Sequence, residues 1–208
     1  MKNLVKIPRL FDGRPSKKHK QGGASAVEFA LVAPVMIAML FGSVEVSQAV
    51  TIDRKVTLAA STIADLVAQG ATLDCATLAT AVKVTRTVFE PYSNHGTNDQ
   101  LSVASVALVG GTPKVEWSRV VDSSGTTCSN AAAYPVGSAV TVTNGGSTNL
   151  VPAMIPTGGA IILGDARLNY TSLGTSFFPS GIAMQERFFL RPRLSDKVCY
   201  TGITTSGC

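Results

Sequence analysis

The chain has 208 residues, 45% of them hydrophobic and 15% charged, with a formal net charge of +5, enough for one modest domain and an appendage. Seven basic residues, Lys2, Lys6, Arg9, Arg14, Lys17, Lys18 and Lys20, precede an apolar segment against Asp12 alone, so residues 21–208 hold eleven basic and twelve acidic groups. Basicity confined to a leader beside an apolar run marks that end as cytoplasmic during insertion, and it leaves the rest without the basic stripe that nucleic-acid binding requires.

In chain order, the apolar segment comes first. Residues 29–44, FALVAPVMIAMLFGSV, are uncharged; as a helix this core rises about 24 Å, and its flanks carry it past the roughly 30 Å of a bilayer's hydrocarbon. A span over 24–50 is expected, with a bend near Ala30 because Pro34 removes a helical hydrogen bond. Glu45 at its far end reads as the point where a carboxylate reaches water. Ile52, Val56, Ala59, Ile63 and Leu66 then recur at steps of four and three up to Gly70, a C-terminal cap. One helix is therefore expected to continue to about residue 69 and to pack its seam on the protein's own domain.

The junction before the span is Gly22, Gly23, Ala24, Ser25, Ala26, Val27, Glu28, Phe29. An ordinary signal peptide is cut after its apolar region, next to small residues; here the glycines precede it. The stretch 22–42, GGASAVEFALVAPVMIAMLFG, resembles the N-terminal motif of the TadE-like family, minor pilins and pseudopilins of the tight-adherence type IV pilus system. TIADLVAQ at 62–69, VEWSR at 115–119 and FFLRPR at 188–193 also look familial. The resemblance implies a basic leader, 1–23, removed by a prepilin peptidase between Gly23 and Ala24, which makes Glu28 the fifth residue of the product. It implies that Glu28 and Phe29 serve assembly, and that the partners are other pilin and pseudopilin subunits and the pilus assembly machinery. It further implies a single-pass protein of the bacterial inner membrane, N-terminus cytoplasmic and C-terminal domain periplasmic, available for incorporation into a surface pilus.

Physical chemistry gives these residues a rationale of their own. Glycine offers no side chain to obstruct a protease subsite. A carboxylate in a hydrocarbon-embedded helix is costly unless paired, and cleavage at Ala24 would create an ammonium group with which a neighbour's Glu28 could pair. Ser25 and Glu28 also fit a local capping box. Ser47-Gln48-Ala49 is a competing processing site that would release a soluble secreted protein, and a membrane-tethered binding domain outside any pilus is a third possibility.

Residues 71–208 form the expected extracytoplasmic domain. Asp74 caps a second helix running through Thr87 or Val88, with Leu78, Ala81, Val82 and Val88 on its apolar face, ended by Pro91. Residues 101–109 and 114–121, divided by Gly110-Gly111-Thr112-Pro113, predict a β-hairpin, and 138–143, 160–172 and 184–191 further strands, with Asn144-Gly145-Gly146 among the turns. The predicted fold class is α+β: a long N-terminal transmembrane helix, pilin-like, followed by a short helix and an antiparallel sheet.

Cys75, Cys128, Cys199 and Cys208 all follow the apolar segment, on the oxidising side, and predict disulfides. Of the three connectivities, loop length favours Cys199 with Cys208, leaving Cys75 with Cys128. Nothing has metal-ligand spacing. His95 sits among turn formers, Ser93 to Asp99, and reads as a solvated loop residue without a nucleophile to serve. The glycine pairs match no phosphate-binding loop. Trp117, Tyr134, Tyr170, Phe177, Phe178, Phe188 and Phe189 read as core or subunit contacts. No catalytic residue, cofactor, metal or nucleic-acid partner is expected, and the chain is not expected to be an enzyme.

Overall fold

The computed structural model describes residues 22–93, 98–140, 143–144, 147–148, 151–171, 181–203 and 208. The basic leader up to residue 21, His95, Phe177, Phe178, Gly145 and Gly146 lie outside them. The chain divides into two compact units, Met1–Ser43 and Val44–Cys208.

The described part of the first unit is helical. It belongs to α1, Gly22–Ala68, 47 residues with Pro34 inside. Its apolar side chains are exposed, Phe29, Leu31 and Met39 among the most so. Among the described residues α1 is the one helix long and apolar enough to cross a membrane.

The second unit is a five-stranded sheet between the second half of α1 and an irregular covering segment. Its elements are β1 (Thr72–Leu73), α2 (Cys75–Arg86) with a 3-10 turn (Thr87–Phe89), β2 (Asp99–Val109), β3 (Thr112–Val121), β4 (Cys128–Ser129), β5 (Thr143–Asn144), β6 (Ser147–Thr148), α3 (Val151–Met154), β7 (Ala160–Tyr170), β8 (Ile182–Leu190) and β9 (Cys199–Tyr200). The sheet runs β4-β3-β2-β7-β8, antiparallel throughout. The long apolar helix, short second helix and antiparallel sheet are thus as the sequence predicts.

Three expectations need correction. Thr112 and Pro113 belong to β3, because Gly110 and Gly111 both take positive φ, 62° and 80°, and turn the hairpin in two residues; side chains resist that conformation and glycine does not. The run 138–143 is no strand over 138–140, where Ala139 makes an isolated bridge to Lys114, and its Thr143 opens β5. Gly70 does not close α1 with a left-handed turn. Its N–H donates to the Val67 carbonyl at 3.3 Å, and the Arg193 N–H donates to the Ala68 carbonyl at 2.9 Å, so a distant segment satisfies the helix end.

The seam of α1 is buried as Ile52, Val56, Ala59, Ala60, Ile63, Ala64 and Val67, packed on Leu101, Val103, Trp117, Ile162, Ala166 and Leu168. Leu66, placed in the seam by its spacing, is only half-buried. The opposite sheet face, with Ala104, Val106, Val115, Ile161 and Leu163, is covered by Ala131, Tyr134, Val140 and Ile155. With both faces covered, β7 is buried almost throughout, which is why its sequence shows a near-continuous apolar run rather than alternation. α2 begins at Asp74, whose carboxylate accepts the Thr77 N–H at 2.8 Å. The buried Arg86–Asp99 ion pair at 3.0 Å ties α2 to β2.

The disulfides are Cys75–Cys128 and Cys199–Cys208, the pairing that loop length favours. With a sequence separation of 53 in the first pair, chain entropy assigns that bond about 4 kcal/mol. The second holds the chain just beyond β9, which pairs in parallel with β1.

Candidate functional site

Gly23, Ala24, Glu28 and Phe29 all lie in the first turns of α1, and all four are exposed. A Cβ built on Gly23 would meet nothing within 4 Å, and its φ is not in the left-handed region. The fold therefore gives no reason for glycine at this position. Ser25 lies three residues inside the helix, which begins at Gly22. An N-cap residue has non-helical backbone, and in the full chain Ser25 is helical; in a product beginning at Ala24 it would be the second residue.

Further along α1, the helix is gripped by the sheet in three places. The Tyr170 hydroxyl, at the end of β7, lies 2.6 Å from Gln48 Oε1 and 3.4 Å from Glu45 Oε2. Burial, and after it the Glu45 carboxylate, push the Tyr170 phenol above its usual value. Glu45, expected to reach water, is instead half-buried against the domain. At mid-helix, Gly164 of β7 lets the backbones approach: a Cβ there would lie 2.5 Å from the Ala60 carbonyl oxygen and 2.9 Å from the Ala64 methyl. At the C-terminal end, Arg193 pairs with Asp65 and caps Ala68 through its backbone. Lys55 reaches sideways from α1 to donate to the Val88 and Glu90 carbonyls at 3.0 and 2.6 Å, a cation on the carbonyl end of the helical turn.

Two of the later fragments singled out in the sequence meet here, Asp65 of 62–69 pairing with Arg193 of 188–193. Trp117 of 115–119, fully buried, donates its indole N–H to the carbonyl of Val198, beyond the last fragment, at 2.8 Å. Tyr134 and Tyr170 are core residues, as predicted, whereas Phe188 is 39% exposed.

Asp165, in the middle of β7, is a fully buried carboxylate. It accepts from Gln185 Nε2 at 2.7 Å, Arg167 Nε at 3.1 Å and Arg187 Nε at 3.4 Å, and from the Tyr134 hydroxyl. Burial and the hydrogen bond to Asp165 push the Tyr134 phenol well above its usual value. The network is satisfied on all sides and joins the covering segment to the sheet. The sequence analysis missed it; the signal was a lone Asp inside the apolar run AIILGDARLNY. Among the described residues no group of three or more His, Cys, Asp or Glu could hold a metal ion, and the four cysteines are consumed in disulfides.

These features define an α+β protein in which one helix carries first an exposed apolar stretch and then the core seam of a disulfide-bonded domain. Residues 23–65 match the family model described as TadE-like protein, and over that stretch the chain is similar to that family. Fragments 115–119 and 188–193 lie outside the matched stretch. No curated protein and no solved structure matches the chain.

Proposed function

We propose that this protein is a minor pilin or pseudopilin of a tight-adherence type IV pilus, a structural subunit without catalytic activity of its own. The carrying observation is the coincidence at Gly23. The family match begins there, and among the described residues nothing packs against that glycine. A glycine just before an apolar helix suits a peptidase subsite that accepts no side chain.

In this reading the basic leader keeps the N-terminus cytoplasmic, the apolar part of α1 crosses the inner membrane and the disulfide-bonded domain folds in the periplasm. A prepilin peptidase removes residues 1–23. The new α-ammonium of Ala24 and the Glu28 carboxylate of a neighbouring subunit then pair as apolar helices pack side by side, with Phe29 in the contact. The secreted alternative fits poorly. Ala49 lies within α1, and cleavage there would discard Glu45 and Gln48, the partners of Tyr170.

The test is the N-terminal sequence and intact mass of the protein from its native membrane, for the wild type and Gly23→Leu. The expected wild-type product begins at Ala24, and Gly23→Leu inserts normally but keeps its leader. A wild-type product beginning at Val50, or unchanged processing of Gly23→Leu, overturns the assignment.

A further inference from the structure

We propose that the outer edge of β8 takes an added strand: an extended segment of a second polypeptide, apolar at alternate positions, with a lysine or arginine opposite Glu186. All the residues concerned lie in the second unit, so neither the apolar stretch of α1 nor processing at Gly23 enters. A strand at the margin of a sheet leaves a row of backbone N–H and C=O groups unbonded, and proteins blunt or cover such margins. Here the two margins differ. On the β3 side, β4 pairs with Val120 and Val121. Further along, the Val115 N–H donates to the Ser138 carbonyl, the Gly137 N–H to the Val115 carbonyl and the Val140 N–H to the Pro113 carbonyl. β8 runs for nine residues, Ile182–Leu190, without a proline, and among the described residues no strand pairs with its outer edge.

The side chains along β8 define the strand that fits. Alternation puts Ile182, Met184, Glu186, Phe188 and Leu190 on the α1 face. Ile182, Met184 and Leu190 pack on that core, and Phe188 stays 39% exposed. On α1, Leu58 is 54% exposed one turn before Thr62. A cleft of about 410 Å³ lies between Ser61, Thr62, Asp65 and Leu66 of α1 and Leu190 and Arg193. Alternate apolar side chains of an added strand would enter this cleft and cover Phe188, while main-chain bonds to β8 supply affinity. Glu186 is the exception in the row, a half-buried carboxylate without an ion pair or hydrogen bond among the described residues. It turns away most strands and admits one that brings a cation. A second copy is a poor occupant, because the antiparallel register that pairs all nine residues of β8 sets Glu186 opposite Glu186.

The experiment uses the full, disulfide-bonded chain in detergent micelles and a synthetic peptide, Val-Thr-Val-Thr-Lys-Thr-Val-Thr-Val, as the added strand. Hydrogen exchange follows the β8 amides that do not bond to β7, and titration calorimetry gives the affinity. The expected result is that these amides exchange freely in the chain alone and slowly once the peptide is added. A peptide with Glu in place of the central Lys should bind roughly fivefold more weakly, the worth of a cross-strand charge pair, and Glu186→Lys should reverse that order. Glu186→Gln, which should abolish the preference without reversing it, serves if Glu186→Lys fails to form both disulfides. Unchanged exchange on adding the peptide overturns the proposal, as does a charge preference that survives both variants. Slow exchange before the peptide is added also overturns it, because the edge is then already covered, by a second copy if dilution restores exchange.

Discussion

Asp122 accepts the Ser124 hydroxyl at 2.7 Å and the Thr126 and Thr127 backbone N–H groups at 3.0 and 3.3 Å, closing the turn between β3 and β4. The Ser124 hydroxyl first, and then those N–H groups, hold its carboxyl at about 2, below the ordinary 3.8. The folded value is the lower one, so the stabilisation is fully present above pH 3.8 and is lost as pH falls through about 2. Denaturant midpoints of wild type and Asp122→Asn should therefore differ at neutral pH and converge between pH 3.8 and 2. A difference independent of pH would remove Asp122 from the account. Little of this was legible beforehand. Asp-Ser-Ser-Gly-Thr-Thr announces a turn, but not which hydroxyl bonds the carboxylate. Asp165 was still less legible, because its partners Tyr134, Gln185 and Arg187 come from separate stretches of chain.

At the scale of elements, the helix-on-sheet contact is governed by what is missing from Gly164. α1 presents Ala60 and Ala64 there, and the space for a β-carbon does not exist. Gly164→Ala is expected to lower stability by about 1–3 kcal/mol, the usual cost of overpacking, read as a fall in the denaturant midpoint. An unchanged midpoint would mean that helix and sheet are not in close contact at this point. The buried seam at Ile52, Val56, Ala59 and Ile63 was readable from spacing alone, because a helix lying on a sheet repeats its contacts every three or four residues. The strands β2, β3, β7 and β8 were readable for the same kind of reason. The residues that cover the other face were not. Ala131, Tyr134, Val140 and Ile155 follow no regular period, and such spacing leaves no signature in the pattern of apolar residues.

For the molecule as a whole, the open matter is what the exposed apolar stretch of α1 does once it is in a membrane. A carboxylate near the middle of a membrane helix costs about 2.5–3.5 kcal/mol on insertion scales, falling toward the interface, and a partner in a neighbouring subunit would offset that cost. Glu28→Ala is therefore expected to be processed normally, to fold with both disulfides, and to fail to co-purify with other pilus subunits after crosslinking. Normal co-purification would show that pairing at this position is not what joins the subunits.

The seating of Arg193 on the end of α1 has a consequence in time. Polypeptides are made from the N-terminus, so the carbonyl of Ala68 waits for its partner until more than a hundred further residues have been synthesised. A similar wait holds for Thr72 and Leu73, which find their strand partners at Cys199 and Tyr200, and a shorter one, 81 residues, for Trp117, whose indole N–H donates to the Val198 carbonyl. The helix can form early, but the domain closes only when residues 193–200 reach it. A chain made only as far as β8 therefore has its helix and its strands but not yet a closed domain.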